Sequence, residues 1–255
     1  MFFLTLNLKQ RKNMKQATEF ARILSSFLNN YLPAEKGVST NTVKSYSYTF
    51  ILLIRYMQEV KKVSLDRLSF KHFKRVLIAD FLDWLQKERK CSDVTRNQRL
   101  AAICCFIKYA ELMAPDHLYD CQQIRSIPVK KTESRPIDYL TIEGVKFLLQ
   151  QPDVNKAKEL RDLALLSLMY ESAARVQEII DLTPASLFIQ NKPYRVLLYG
   201  KGKKYRSVPL PDKEAVLLRN YMTPNELLNR ENLQKPLFSN YQGQKMTRNG
   251  VNNIL

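Results

Sequence analysis

Apolar residues recur every three to four positions along most of this chain, and the period drops to two in one stretch, between Ser186 and Leu210. That change constrains the fold most: helices nearly throughout, with one small sheet. "SLFIQ" from Ser186, "YRVLLYG" from Tyr194 and "YRSVPL" from Tyr205 read as three short antiparallel strands. Ahead of them stand four helical patterns. Residues 18–32 carry Phe20, Ile23, Leu24, Phe27, Leu28 and Tyr31 on one face, before Pro33 and Gly37 break the spacing. Residues 39–60 open on Ser/Thr/Asn capping candidates. The third pattern, about 76–89, holds Val76, Phe81, Leu82 and Trp84, and the fourth runs from Ser92 or Asp93 to about Met113. Four helices on short connections predict a compact bundle.

The pattern lapses over "QQIRSIPVKKTESRPIDYLT" (122–141), which has two prolines, four basic residues and little apolar periodicity. It reads as a linker and predicts a two-domain chain: a tail at 1–17, a helical domain at 18–115, a linker at 116–137 and a second domain at 138–255. Met14 follows the basic stretch "KQRKN" and is an alternative start. Thr141 caps a short helix ending before Pro152, and helical patterns follow at 158–172 and 175–182, separated at Ala173–Ala174. Helices resume at 212–222 and 247–255.

Charge narrows the partners. Forty-one Lys and Arg stand against 24 Asp and Glu, a formal +17. The excess is spread over both domains and not gathered in a tail, which points to nucleic acid and away from a lipid-anchoring arm, and no small-molecule substrate is expected. No apolar run approaches a membrane span, so a cytoplasmic protein is expected. Cys91, Cys104, Cys105 and Cys121 lack metal-ligand spacing, and His72 and His117 are the only histidines, so no metal or other cofactor is expected. Cys104 and Cys105 lie in an apolar helix and read as inert core thiols. No aromatic strand motif of the RNA-recognition type is present. "GKGKK" lacks the spacing and the terminal Ser/Thr of a nucleotide-binding P-loop.

"YGKGKKYRSVPL" (199–210) places two of the chain's six glycines around Lys201 and adds Lys203 and Arg206. Taken alone, Gly200 and Gly202 supply the permissive φ of a tight turn, and the lysines are solvated. Arg175 can fork two hydrogen bonds to a phosphate, and Glu178, at i+3, can orient it. By themselves the two read first as a surface ion pair.

Three stretches together resemble the tyrosine recombinases, the phage-integrase family: "LRDLALLSLMYESAARVQEIIDL" (160–182), the hairpin just quoted, and "PLFSNYQGQKMTRNGVNNIL" (236–255). "NTVKSYSYTF" and "SDVTRNQRLAAICCFIKY" resemble the family's helical core-binding domain. The resemblance implies a mainly α chain: an N-terminal SAM-like DNA-binding domain joined to part of an α+β catalytic domain with a three-stranded antiparallel sheet. It implies site-specific DNA strand exchange through a 3′-phosphotyrosyl intermediate, as the integrase or transposase of a mobile element, without metal or external energy, in a tetrameric synapse when intact. Arg175 matches the family's first catalytic arginine, Glu178 the acidic residue after it, and Lys201 the hairpin lysine that protonates the leaving 5′-oxygen. Ala173 stands where the family usually has glycine. The family's second catalytic box and its tyrosine are expected beyond Leu255, so these 255 residues are expected to be inactive alone. The rival expectation is a non-catalytic protein that occupies recombination sites and modulates an intact recombinase.

The family closes two domains on its duplex, so a basic face is expected on the first. Lys44 and Tyr48 share one face of the second helix at i,i+4. Arg96 and Arg99 share another at i,i+3, with Asn97 able to read base edges. Lys130, Lys131 and Arg135 in the linker, with Lys203 and Arg206 in the hairpin, are expected phosphate contacts.

Overall fold

A computed structural model describes residues 17–133, 138–200, 202 and 204–254. The chain forms two units, 1–136 and 137–255.

In the first unit, Thr18 caps α1 (Glu19–Ser26), which widens into a π-helical stretch at Phe27–Glu35. Pro33 is accommodated inside that stretch, and Gly37, at φ +61°, ends it. The expected break therefore comes four residues past the proline. Ser39 and Ser92 accept hydrogen bonds from Thr42 N and Thr95 N, which sets the starts of α2 (Thr40–Glu59) and α4 (Asp93–Met113). α3 (Arg75–Lys87) lies between them and buries Ile78, Phe81, Leu82 and Leu85. Val76, expected on that buried face, is exposed because the apolar stripe begins two residues later.

Phenylalanines dominate this core. Phe20 stacks on Phe73 with ring centroids 4.5 Å apart, and Phe50 meets Phe106 edge-on at 5.0 Å. The core extends into the segment read as linker. Leu118–Arg125 form α5, which buries Cys121 and Ile124, and Ile127 follows them inward. Three apolar residues spaced three apart, framed by polar ones, were too sparse to read as a helix. Burial pushes the Cys121 thiol up to about 11. Cys104 and Cys105 are half-buried, and the Lys36 ammonium sits 2.9 Å from the Cys105 sulfur.

The second unit opens with α6 (Ile142–Gln150), capped by Thr141, and α7 (Ala157–Ser172). Ala173 ends α7 in the left-handed conformation, φ +47°, ψ +35°, where a Cβ is unfavourable and glycine would be relaxed. This residue reverses the chain into α8 (Val176–Ile180). β1 (Leu187–Phe188), β2 (Arg195–Gly200) and β3 (Lys204–Pro209) form one antiparallel sheet in that order, with Val196 opposite Val208 and Tyr199 opposite Tyr205. Val196 and Leu198 point to a core shared with Leu165, Leu168, Ile179 and Leu218. α9 (Asp212–Met222) packs on α7, and α10 (Arg248–Asn252) on α8.

One buried acid stands out. Glu214, in the first turn of α9, is 3% exposed; the Ser167 hydroxyl donates to its Oε2 at 2.5 Å, and Oε1 has no partner. Burial raises its pKa to about 7, with the nearby Glu171 charge adding to the shift and the Ser167 bond opposing it. A carboxyl raised above its unfolded value is fully compatible with folding below about pH 4.5. As pH rises through 7 it is forced to ionise in place, and stability is lost. Glu214→Gln is therefore expected to stabilise the second unit at pH 8 by on the order of 2 kcal/mol and hardly at pH 5. Thermal melts across that range would refute this if the gain were the same at both ends.

Candidate functional site

The site is built where α8 meets the end of β2. Arg175 begins α8 and Glu178 lies one turn on, so Glu178 reaches back to the Arg175 backbone N–H, which donates to Oε2 at 3.0 Å. The Arg175 guanidinium donates through Nη1 to Oε1 at 2.9 Å. From β3, Arg206 Nη2 donates to Oε2 at 2.7 Å. Glu178 is 5% exposed, whereas the Arg175 side chain is 68% exposed. One buried carboxylate thus holds two arginines from beneath, and the outer guanidinium N–H groups of Arg175 face solvent.

Gly200 belongs to this construction. A Cβ there would lie 2.9 Å from Glu178 Oε1 and 3.3 Å from Arg206 Nη1. The expected turn role falls to Gly202, at φ +81°. Gly200 is needed because β2 passes directly over the carboxylate. Lys201 and Lys203 lie outside the described residues, as does Arg135.

The Arg206 hydrogen bond, with those from the Arg175 backbone and guanidinium, holds the Glu178 carboxyl down at about 2 against the opposing effect of burial. A depressed carboxylate contributes stability above its unfolded pKa, near 4.5, and loses it as pH falls toward 2. We expect that contribution to be on the order of 2 kcal/mol, since both arginines are partly solvated. Glu178→Gln should be less stable than the parent at pH 7, with the gap closing as pH falls from 5 to 3. An unfolding series showing a constant gap would contradict the assignment.

Further ties fix α8. Arg248 Nε donates to Gln177 Oε1 at 3.0 Å, and Lys245 pairs with Asp181. Gln177, from which the sequence suggested nothing, joins α8 to α10. Arg161 Nη1 donates to the Ser239 carbonyl at 2.9 Å and holds the chain ahead of α10 against α7.

The expected DNA residues of the first unit divide in two. Lys44, Lys130 and Lys131 are exposed, and Tyr48 is 44% exposed with the Arg99 guanidinium 5.0 Å from its ring centroid. Arg99 also donates to the Ser45 carbonyl and to Thr49 Oγ1, joining α4 to α2. Arg96 and Asn97, expected to face DNA, work internally. Arg96 is 6% exposed and donates to the Pro128 carbonyl at 2.9 Å and to Asn97 Oδ1. Asn97 brackets the Lys130 backbone, donating to its carbonyl at 2.8 Å and accepting from its N–H at 3.1 Å. The middle of the expected linker is thereby sewn onto α4, whose Arg96 and Asn97 side chains take up the Pro128 and Lys130 carbonyls and the Lys130 N–H. Lys130 Nζ reaches Gln86 Oε1 at 2.6 Å. Among the described residues, no three His, Cys, Asp or Glu side chains gather as a metal site, and no helix is long and apolar enough to cross a membrane.

The chain thus pairs a helical unit presenting basic side chains with a mainly helical unit whose three-stranded sheet closes on an Arg–Glu–Arg cluster. In sequence comparison, the Phage integrase family model matches residues 138–255, and the Phage integrase, N-terminal SAM-like domain model matches residues 24–112. The chain is 32% identical over 229 residues to tyrosine recombinase XerD of Haemophilus influenzae, covering 89% of this chain and 72% of that one. Tyrosine recombinase XerC of Myxococcus xanthus is 29% identical, with 92% and 75% covered. The fold is similar to that of the XerH site-specific recombinase solved on a palindromic difH substrate after cleavage, with TM-score 0.62 and 20% identity. That match spans 88% of this chain and 64% of the XerH chain. The chain belongs to the tyrosine recombinase (phage integrase) family.

Proposed function

We propose that the chain acts in site-specific DNA strand exchange on behalf of a mobile element, with the second unit gripping the scissile phosphate and the first gripping the flanking duplex. The observation that carries this is the Glu178 clamp. A carboxylate is buried at the cost of its hydration, yet it turns one arginine outward with most of its donors free. A mere surface ion pair does not require burial of the acid, a second arginine, and a glycine that makes room for it.

In this reading Arg175 binds a non-bridging oxygen of the phosphate and stabilises the charge that grows there as the tyrosine attacks. Glu178 is a positioning residue, and Arg206 completes its hydrogen bonding. Lys201, at the hairpin turn, delivers the proton to the leaving 5′-oxygen. Lys44, Tyr48, Arg99, Lys130 and Lys131 supply phosphate and groove contacts, while Arg96 and Asn97 hold the segment that presents Lys130. Arg135 and Lys203 add charge at the linker and the hairpin. A tetramer on two duplexes is the assembly in which such units exchange strands, and no metal or nucleotide takes part.

Binding tests the reading directly. If about six phosphates are neutralised, affinity for duplex DNA should fall by roughly three decades between about 50 and 200 mM salt. Lys44→Ala should lower the slope of log affinity against log salt by about one. A flat salt response would remove the proposal.

A further inference from the structure

The outer face of the sheet carries aromatic rings that the fold does not use. Tyr199 and Tyr205 are cross-strand partners one pair short of the hairpin end, on the face opposite Val196 and Leu198. Their centroids lie 4.8 Å apart, tilted at 45°. Tyr199 is 44% exposed and Tyr205 67%, and neither joins the hydrophobic core of its unit. On the same face, the Arg195 guanidinium lies 4.5 Å from the ring centroid of Phe188, itself 42% exposed.

We propose that Tyr205, braced from one side by Tyr199, is a stacking site for an unpaired nucleobase of DNA. The inference rests on the reading of this chain as a DNA strand-exchange protein and adds a ligand that the phosphate clamp does not address. Charge selects the occupant. Between Asp181 and Asp212 the sequence holds six basic residues and no acidic one. Of these, Arg195 shares the rings' face of β2, and an apolar protein partner would have to desolvate that guanidinium without compensation, whereas a nucleic acid offers a phosphate to the cation and π faces to the rings. Within an intact duplex each base face is covered by its neighbours, so a protruding phenol ring finds a free face only where bases are unstacked. Exchanging strands between two duplexes requires pairs to open and re-form, which produces such bases next to the site of cleavage.

A cross-strand aromatic pair also stabilises a hairpin, and that role must be separated from stacking. Hairpin support needs both rings and would show as lowered thermal stability without any preference among DNAs. Stacking needs the outer ring and would show in the DNA preference.

The test uses the full chain with two DNAs of equal length and sequence context. One is fully paired; the other has a central unpaired bubble containing 2-aminopurine. The chain is expected to bind the bubble at least about fivefold more tightly and to quench its fluorescence, in line with the worth of one base–aromatic stack. Tyr205→Ala should abolish both the preference and the quenching while changing duplex affinity by less than about twofold. Tyr205→Phe should retain both, because the ring and not the hydroxyl makes the contact. Equal affinity of the parent for the two DNAs would overturn the proposal while leaving the phosphate-clamp reading intact. A preference that survives Tyr205→Ala would do the same. Failure to bind either DNA would overturn both readings.

Discussion

Replacing Arg175 by alanine is expected to slow DNA cleavage by about two to three decades in a chain carrying the nucleophilic tyrosine, and to weaken DNA binding only a few-fold. The split follows from the geometry. Arg175 is one cation among many along a basic surface, so its loss removes one ground-state phosphate contact. In the transition state the scissile phosphate gathers additional charge, and the rigidly held guanidinium is worth most there. Rigidity comes from beneath: Glu178 fixes Arg175 through both its backbone N–H and Nη1, at 3.0 and 2.9 Å. Arg175→Lys should recover little, because an ammonium cannot span the carboxylate and a phosphate with the same planar fork. Single-turnover cleavage of a nicked substrate reads the effect. Cleavage by Arg175→Ala within tenfold of the parent would make the clamp a structural ion pair, and the assignment of the site would fall.

The pairing of Arg175 with Glu178 was legible in the sequence, for a definable reason. Arg175 and Glu178 are three residues apart, and helical spacing is short-range information. The hairpin was legible because its glycines and alternating residues are also local: β1 and β2 fall within the stretches read as extended, and β3 starts one residue before its stretch, at Lys204. What could not be read depends on residues brought together from far apart. Arg206 lies 28 positions from Glu178, and only the packing of β3 beside α8 makes it the second ligand. Gly200 looked like a turn residue because its actual constraint, the closeness of Glu178 Oε1, belongs to another element. Arg96 and Asn97 looked like a DNA-reading pair because their partners, the backbone of Pro128 and Lys130, lie more than 30 residues on. Glu214 sits where acids usually favour a helix N-terminus in solvent, and nothing local reveals that α7 covers it.

In a chain carrying the nucleophilic tyrosine, Lys201→Ala is expected to slow cleavage on the order of a hundredfold or more, the usual worth of a positioned general acid, with DNA affinity nearly unchanged. The glycines on either side of Lys201 have separate tasks. Gly200 lets β2 settle on the Glu178 carboxylate, and Gly202, at φ +81°, turns the chain back into β3. Gly200, the residue before Lys201 in the sequence, is therefore seated on the same carboxylate that orients Arg175. The role can be isolated chemically. A 5′-phosphorothiolate substrate expels a thiolate that needs little protonation, so it should restore the Lys201→Ala rate to near that of the parent while leaving Arg175→Ala slow, since charge on the non-bridging oxygens still has to be stabilised. Rescue of both variants would mean that the two residues share one electrostatic task. Rescue of neither, or a Lys201→Ala variant as fast as the parent, would leave Lys201 a solvated turn residue and pass the proton transfer to another group.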